Sequence, residues 1–137
     1  MPRGNVDALF EAALAARANA YAPYSQFPVG AALRSVEGGL FAGCNVENAS
    51  YPIVICAEAG AIAAMVAAGH KKIAEFLVIG GDNPIVTPCG ACRQRLREFA
   101  GPEVVVYCAS PSGSLASYTV EALLPASFGP EHLAEER

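Results

Sequence analysis

One carboxylate within a run of apolar and small residues is the feature that most restricts how this chain can fold. The segment YPIVICAEAGAIAAMVAAG, residues 51–69, contains a single charged side chain, Glu58, two positions after Cys56. A buried carboxylate without a partner costs several kcal/mol. The interaction of an acidic residue with the N-terminal end of a helix stabilises the fold by only about 0.3–1 kcal/mol. Glu58 therefore needs a chemical reason to stand at the start of a core helix.

A second motif supplies two sulfurs at the start of another predicted helix. In TPCGACRQRLREF, Cys89 and Cys92 stand at positions i and i+3, so both can reach one ion from a single turn. The unpaired N–H groups of a helix N-terminus favour the thiolate form that a metal needs. Taken alone, this spacing fits a redox pair as well as a zinc site.

Cys56 changes this balance because it also stands at the start of a helix. Three thiolates make a Cys₃ set that is one ligand short of tetrahedral, and such an open set is typical of catalytic zinc. Glu58 then has a reason to be there, as a proton carrier beside a metal-bound water. Two alternatives stay open on residues alone: Cys56 is a buried small hydrophobe, or Cys44 completes a closed, structural Cys₄ site.

The remaining pattern predicts one domain over residues 1–137, a length that supports a single core. Helices are predicted at residues 6–18, 56–69 and 90–99, and strands at 29–35, 40–48, 75–81 and 103–109, with a weaker element at 117–124. The first two strands form a hairpin around a Gly-rich turn. Strands and helices alternate in the second half, which predicts a mixed sheet covered by helices.

Composition excludes several classes of partner. The chain carries a net charge of −4 and no tryptophan, which argues against a nucleic-acid surface. No apolar run is long enough to cross a bilayer and the N-terminus does not resemble a signal peptide, so we expect a cytoplasmic protein without membrane contact. Five cysteines argue against a disulfide framework. The apolar fraction of 53% predicts that copies of the chain cover part of each other's surface.

The segments CAE and PCGAC together match the arrangement of zinc deaminases, in which the glutamate is an acid/base and not a ligand. With APYSQFPVGAAL, GCNVENASYP and LLPASFGPEHL, the chain resembles the small, homotetrameric, Cys₃-zinc type of cytidine deaminase nearly from end to end. The resemblance implies a three-layer α/β/α sandwich with a mixed five-stranded sheet. It also implies a homotetramer whose active sites are shared between subunits.

The same resemblance implies one Zn²⁺ per subunit, held by Cys56, Cys89 and Cys92. The implied reaction is hydrolytic deamination of cytidine or 2′-deoxycytidine to uridine or 2′-deoxyuridine plus ammonia, as in pyrimidine salvage. Zinc-bound hydroxide attacks C4 of the base, and Glu58 carries protons to N3 and to the leaving ammonia.

Substrate contacts are also implied by the resemblance, residue by residue. Phe27 faces the pyrimidine ring, backbone groups near Ala57 hold the base edge, and Phe128 closes a neighbouring subunit's site. Asn45 and Glu47 hydrogen-bond the ribose 3′-hydroxyl, and positions 45 and 47 lie on the same face if the strand continues through them. A further residue, Tyr51, shapes the sugar side of the pocket.

The chain departs from the family pattern at Ala59, where many Cys₃ relatives carry an arginine that offsets charge on the sulfurs. Helix N-termini offset this charge in part, and Arg93 is a candidate for the rest. We therefore expect altered electrostatics at the zinc site. The alternative within enzymes is a deaminase of another free base or nucleoside, such as blasticidin or guanine.

Overall fold

The computed structural model describes residues 4–82 and 84–134. These residues form five helices and five strands, in chain order α1 Gly4–Ala18, β1 Gly30–Ser35, β2 Leu40–Cys44, α2 Ala57–Ala67, β3 Ile73–Ile79, α3 Gly90–Phe99, β4 Val105–Ala109, β5 Leu115–Thr119, α4 Val120–Leu123 and α5 Glu131–Ala134. A single 3-10 turn, Tyr51–Ile53, precedes α2. Residues 1–3 and 135–137 of the predicted domain lie outside the described residues, and the single-domain prediction stays a prediction.

The five strands form one mixed sheet in the order β2-β1-β3-β4-β5. Strand β1 runs antiparallel to both β2 and β3, β3 runs parallel to β4, and β5 is antiparallel to β4. Strands β2, β3 and β4 therefore all point the same way. Helix α3 is the crossover between the parallel neighbours β3 and β4, and α2 connects β2 to β3, which lie on either side of β1. Because β2 leads toward α2 and β3 toward α3, both helices begin at the same edge of the sheet.

Helices cover both faces of this sheet, as the predicted three-layer sandwich requires. On one face α2 and α3 pack Met65 and Leu96 against Phe76 and neighbouring strand residues. On the other face α1 packs Leu9 against Leu77 and its neighbours. Each such side chain contributes about 1.5–3 kcal/mol on burial. In the part of the chain that the structure describes, no helix has the length and apolar character of a bilayer span.

Two predicted elements differ from those observed. Strand β2 ends at Cys44 instead of continuing to residue 48, and beyond it Val46 forms isolated β-bridges with Tyr21 and Ile55. The weak element at 117–124 is the end of β5 followed at once by α4, whose N-cap Thr119 accepts a hydrogen bond from the Ala122 N–H. The cap stops the strand because it turns the backbone into the helix.

A glycine brings the start of α2 against strand β2. A Cβ at Gly43 would lie 2.5 Å from the Ala61 nitrogen and 2.7 Å from the Ala57 oxygen, so no side chain fits between strand and helix. Gly60 faces the same contact from the helix, but a Cβ there would come no closer than 3.5 Å. Gly43 therefore fixes how close the first turn of α2 lies to the sheet.

We expect Gly43→Ala to lower the free energy of unfolding by about 2 kcal/mol, because the added methyl group meets backbone that cannot move aside. Gly60→Ala is the matched control: it adds a methyl group to the same contact at an ordinary distance and removes a glycine from a helix. We expect it to leave stability unchanged or raise it by about 0.5–1 kcal/mol. Urea unfolding of the two variants measures both values, and equal losses would contradict the close-approach argument.

Candidate metal and active site

Three cysteine sulfurs meet where α2 and α3 begin. Cys56 is the N-cap residue of α2 and Cys89 the N-cap residue of α3, both with extended backbone. Cys92 lies in the first turn of α3 and is fully buried. The three Sγ atoms lie within 4.8 Å of one another. The shared edge of strands β2, β3 and β4 explains how segments so distant in sequence come together.

The donor set fits a zinc ion with one open coordination position. Tetrahedral zinc with Zn–S bonds of about 2.3 Å needs sulfurs about 3.8 Å apart, which three side chains this close can reach with small rotations. Within residues 4–82 and 84–134, these three form the one convergent group of potential metal ligands. Cys44, the fourth ligand of the structural alternative, is not a member of that group. The set is therefore the open kind rather than the closed Cys₄ kind.

The three thiols differ in their surroundings. Backbone N–H groups of the α3 start, chiefly that of Cys92, lower the pKa of the Cys89 thiol. Burial raises the pKa of Cys56 and raises that of Cys92 well above its ordinary value. Two of the three thiolates therefore need an external positive charge to form, which is what a divalent metal ion supplies.

Glu58 lies in the first turn of α2, directly beside the sulfurs. Its side chain is 5% exposed, and burial raises the pKa of its carboxyl group, although a hydrogen bond with Cys92 and the charge of Arg95 lower it in part. A carboxyl group with a raised pKa holds a proton more readily than a free one, which suits a group that must both accept and donate a proton. The carboxylate in the apolar run is thus placed against the candidate metal site.

A cavity of about 190 Å³ opens onto this group. It is lined by Glu58 and by the cysteines Cys56 and Cys89. The other lining residues are apolar or small and polar: Val29, Asn45, Val54, Ile55, Ala57, Val86 and Thr87. Ala57 and Asn45 are thus the two predicted substrate residues on the cavity wall. The cavity thus combines apolar side chains with one acidic group and two of the potential metal ligands.

Asn45 and Glu47 both hold the loop that precedes β1. The Asn45 amide donates to the Phe27 carbonyl at 2.9 Å and accepts from the Val29 N–H at 2.9 Å. Glu47 accepts the N–H groups of Tyr24 and Ser25 at 3.0 and 3.1 Å, and also the Ser25 hydroxyl. The Ser25 hydroxyl is the main reason why the pKa of Glu47 is lowered. Because β2 ends at Cys44, the two residues do not share a strand face, and their hydrogen-bond partners in this structure are backbone groups and a serine.

The predicted substrate residues Phe27 and Tyr51 lie at or near this loop, and both are exposed. Phe27 is 43% exposed, and its ring lies against the backbone of Gly80 and Gly81. Tyr51 is 68% exposed and makes an edge contact with Tyr24 at 5.7 Å between ring centres. Both tyrosines, with Glu47, line a second cavity of about 300 Å³. These residues form a wall beside the candidate site rather than a closed pocket.

Phe128 lies in the tail and does not line the cavity beside Glu58. Its ring is 56% exposed and stacks on His132 at 5.2 Å. Helix α3 holds this part of the tail, because the Gln94 amide donates to the Phe128 carbonyl at 2.9 Å and Arg97 donates to the Ser127 hydroxyl at 2.8 Å. The backbone of the tail aromatic is therefore held by α3, while its ring contacts His132 and is otherwise largely exposed.

The arginine that contacts a sulfur is Arg95, and the candidate Arg93 is wrong. Arg93 donates to the carbonyls of Pro88 and Leu123, both at 2.7 Å, and to the Thr87 hydroxyl at 3.0 Å, so it holds the loop before Cys89. Arg95 Nη1 lies 3.5 Å from Cys92 Sγ. The i,i+3 spacing from Cys92 could have indicated this contact.

Comparisons with known proteins agree with this geometry. Residues 4–108 match the family model described as the cytidine and deoxycytidylate deaminase zinc-binding region. A cytidine deaminase of Sporosarcina psychrophila is 39% identical over 130 residues, covering 95% of this chain and 96% of the relative. One of Mycobacterium tuberculosis strain H37Rv is 36% identical over 137 residues, covering 100% of this chain and 94% of the relative. The crystal structure of cytidine deaminase from Burkholderia pseudomallei superposes with a TM-score of 0.85 at 44% identity, covering 93% of this chain and 100% of that one.

Proposed function

The chain belongs to the cytidine and deoxycytidylate deaminase family, and we propose that it hydrolyses cytidine, 2′-deoxycytidine or both to the uracil nucleoside and ammonia. As a member of this family it is a hydrolytic deaminase. The observation that carries the proposed reaction is the convergence of Cys56, Cys89 and Cys92 beside the buried carboxyl group of Glu58. A metal-binding set with an open position and an adjacent acid/base is what hydrolysis of an amidine C–N bond requires.

In this proposal Cys56, Cys89 and Cys92 hold zinc, which when bound acidifies a water molecule so that it is a nucleophile at neutral pH. Glu58 accepts the proton that the water loses on attacking C4 of the base. Its carboxyl group then protonates N3, takes the remaining proton of the hydroxyl group added at C4 and passes it to the amino group, so that the C4–N bond breaks, ammonia leaves and the C4 carbonyl forms. The raised pKa of Glu58 supports this alternation between acid and base.

We place the base in the cavity of about 190 Å³ with its reacting edge toward Glu58. The buried backbone at Ala57 lies on the cavity wall, where it can hydrogen-bond the base edge. Phe27 lies at the loop that Asn45 fixes, so Asn45 positions the ring that we propose faces the base. The apolar walls exclude water from the reacting carbon, which strengthens the interactions of Glu58.

We place the sugar beyond the base, along the second cavity, where Glu47, Tyr51 and Tyr24 lie. The carboxylate of Glu47 has two oxygens and accepts loop donors on both. A ribose 3′-hydroxyl can be a further donor to it, because each carboxylate oxygen accepts more than one hydrogen bond. Asn45 has one amide hydrogen beyond the bond to Phe27, which can be donated to the same hydroxyl.

We further propose that four copies of the chain assemble into a homotetramer. Large apolar side chains are exposed in one continuous segment, residues 53–55, and at Tyr51 and Phe128. Exposed apolar surface of this kind is typical of an interface. In the proposed tetramer the Phe128 ring, which has no place in its own subunit's cavity, closes the site of a neighbour.

The proposal covers the whole chain as one catalytic domain in the cytoplasm. All five cysteines are free thiols in this structure. A reducing compartment keeps such thiols available for a metal. The proposed substrates, pyrimidine nucleosides, are small molecules. The net charge of −4 gives no support for a nucleic-acid substrate.

Ammonia release during incubation with cytidine, 2′-deoxycytidine and free cytosine tests the proposed function. We expect turnover of at least one nucleoside and much weaker turnover of cytosine, because the base alone lacks the sugar contacts of Asn45 and Glu47. Glu47→Gln is the informative variant: it is expected to raise KM for the nucleosides about tenfold and to leave the residual rate with cytosine unchanged. Turnover of guanine or blasticidin without turnover of either nucleoside would contradict the proposal.

A further inference from the structure

The candidate metal site has a charge imbalance that residue 59 does not correct. Three thiolates and one divalent zinc ion sum to one net negative charge, and this charge opposes the acidification of a water ligand. The residue after Glu58 is Ala59, whose methyl group has no charge to offer. The N-termini of α2 and α3 supply partial positive charge, but this is spread over several backbone groups.

Arg95 stands where a full positive charge would be needed. It lies one turn after Cys92 on α3, and its Nη1 is 3.5 Å from the Cys92 Sγ atom. At this distance an N–H group donates a hydrogen bond to sulfur. The guanidinium group remains charged at every relevant pH and has several donors in a plane, so one can contact the sulfur while others face solvent.

The space beside Arg95, between α2 and α3, is open. A cavity of about 410 Å³ lies between α2 and α3 and is lined by Ala59 and Arg95, with Ala63 and Gln94 among its other residues. The small side chains of Ala59 and Ala63 leave room in this cavity beside the guanidinium group. An arginine at position 59 would enter the same cavity, where two guanidinium groups would repel each other.

The other two arginines of α3 do not share this role. Arg93 is fully engaged with the carbonyls of Pro88 and Leu123 and the hydroxyl of Thr87. Arg97 bonds to Ser127 and Glu131 in the tail. Arg95 is thus the α3 arginine whose hydrogen bond, in this structure, goes to a candidate metal ligand.

We propose that Arg95 is a positioning residue of the metal site: its guanidinium group donates to the Cys92 sulfur and offsets the thiolate charge that Ala59 leaves uncompensated. The inference rests on the proposed function, because it assumes that Cys92 is a metal ligand. A hydrogen bond to a thiolate withdraws electron density from the sulfur, so the metal becomes a stronger Lewis acid. Arg95 touches neither the substrate nor the reacting atoms and acts through Cys92.

Replacing zinc by cobalt allows the effect of Arg95 on the Cys92 sulfur to be measured by absorption spectroscopy, without relying on catalysis. Arg95→Gln removes the charge but keeps helix propensity at an exposed position. Loss of the hydrogen bond raises the energy of the sulfur lone pairs, so the sulfur-to-cobalt charge-transfer band is expected to move to longer wavelength. In the zinc enzyme we expect kcat to fall about tenfold with KM changed less than about twofold. Lys71→Gln, which removes one exposed positive charge in the turn before β3, is the control and should change neither quantity.

Relocating the arginine separates an electrostatic role from a merely structural one. In the double variant Ala59→Arg with Arg95→Gln, the new guanidinium group enters the same cavity from α2. We expect the band to return toward its original wavelength and kcat to recover most of its loss. Arg95→Lys, which keeps the charge but loses the planar group, is expected to give an intermediate band.

Three outcomes distinguish a failure of the proposed role of Arg95 from a failure of the proposed function. An unchanged band and an unchanged kcat in Arg95→Gln would overturn the role of Arg95 while leaving the proposed function intact. A cobalt protein with the expected bands that deaminates no nucleoside would overturn the proposed function, yet the band shift would still decide the role of Arg95. A protein that binds no cobalt through its thiolates would overturn both.

Discussion

Replacing Glu58 by glutamine is expected to lower kcat by about 10⁴-fold while one zinc ion per subunit stays bound. The amide has nearly the shape of the carboxyl group, but it cannot accept the proton of the attacking water or deliver one to the leaving amino group. Glu58 is not a member of the three-cysteine group that forms the candidate metal site, so we expect metal binding not to depend on its carboxyl group. Ammonia release measures kcat, and elemental analysis of the purified variant measures zinc.

The control for this prediction is Glu11→Gln on α1, which packs on the opposite face of the sheet and has an exposed side chain at this position. It makes the same chemical change far from the cavity and should leave kcat and zinc content unchanged. The Glu58 variant should also fold at least as stably as the original protein, because an amide is cheaper to bury than a carboxylate. A Glu58→Gln enzyme with more than a tenth of the original kcat would exclude Glu58 as the proton carrier.

Cys92→Ala is expected to abolish stoichiometric zinc binding and to reduce deamination by at least about 10⁴-fold. Cys92 is fully buried and is the ligand whose thiolate is least stable without a metal, since burial raises its pKa. Two remaining sulfurs cannot hold zinc in a three-ligand catalytic geometry. Zinc content by elemental analysis, with far-ultraviolet circular dichroism to establish folding, measures the outcome.

Cys44→Ala provides the matched comparison, since it also removes one thiol from the chain. Cys44 lies at the end of β2 and is partly exposed, and its sulfur is not part of the convergent group. Zinc content and kcat should be those of the original protein. Loss of zinc in Cys44→Ala would instead support a closed, structural site with four cysteines, and the catalytic proposal would fail.

The sequence predicted helices α2 and α3 well because their signals are local. Cys56 and Cys89 mark the starts, and Gly69, with φ of +92°, marks the end of α2 as a left-handed residue just beyond the helix. The convergence of three sulfurs could also be anticipated, because helices that follow parallel strands begin at the same sheet edge. The α/β sandwich with its mixed sheet is confirmed.

The missed features depend on contacts that no local pattern encodes. The early end of β2 at Cys44 arises because Asn45 turns its amide toward the backbone of Phe27 and Val29. The choice between Arg93 and Arg95 depends on which carbonyls lie near α3, and those of Pro88 and Leu123 come from distant segments. Periodicity places both arginines on a helix surface but does not say which surface faces a sulfur.

The ten residues of α3 connect several parts of the molecule through consecutive positions. Cys92 faces the other sulfurs, Arg93 holds the loop before the helix, and Gln94 and Arg97 hold the tail. Each helical residue is turned by about 100° from the one before it. An insertion or deletion between Cys92 and Arg97 would rotate every later contact away from its target at once. The length of this segment is therefore far less free to vary than its composition, and chimeric enzymes should exchange α3 only as a complete unit.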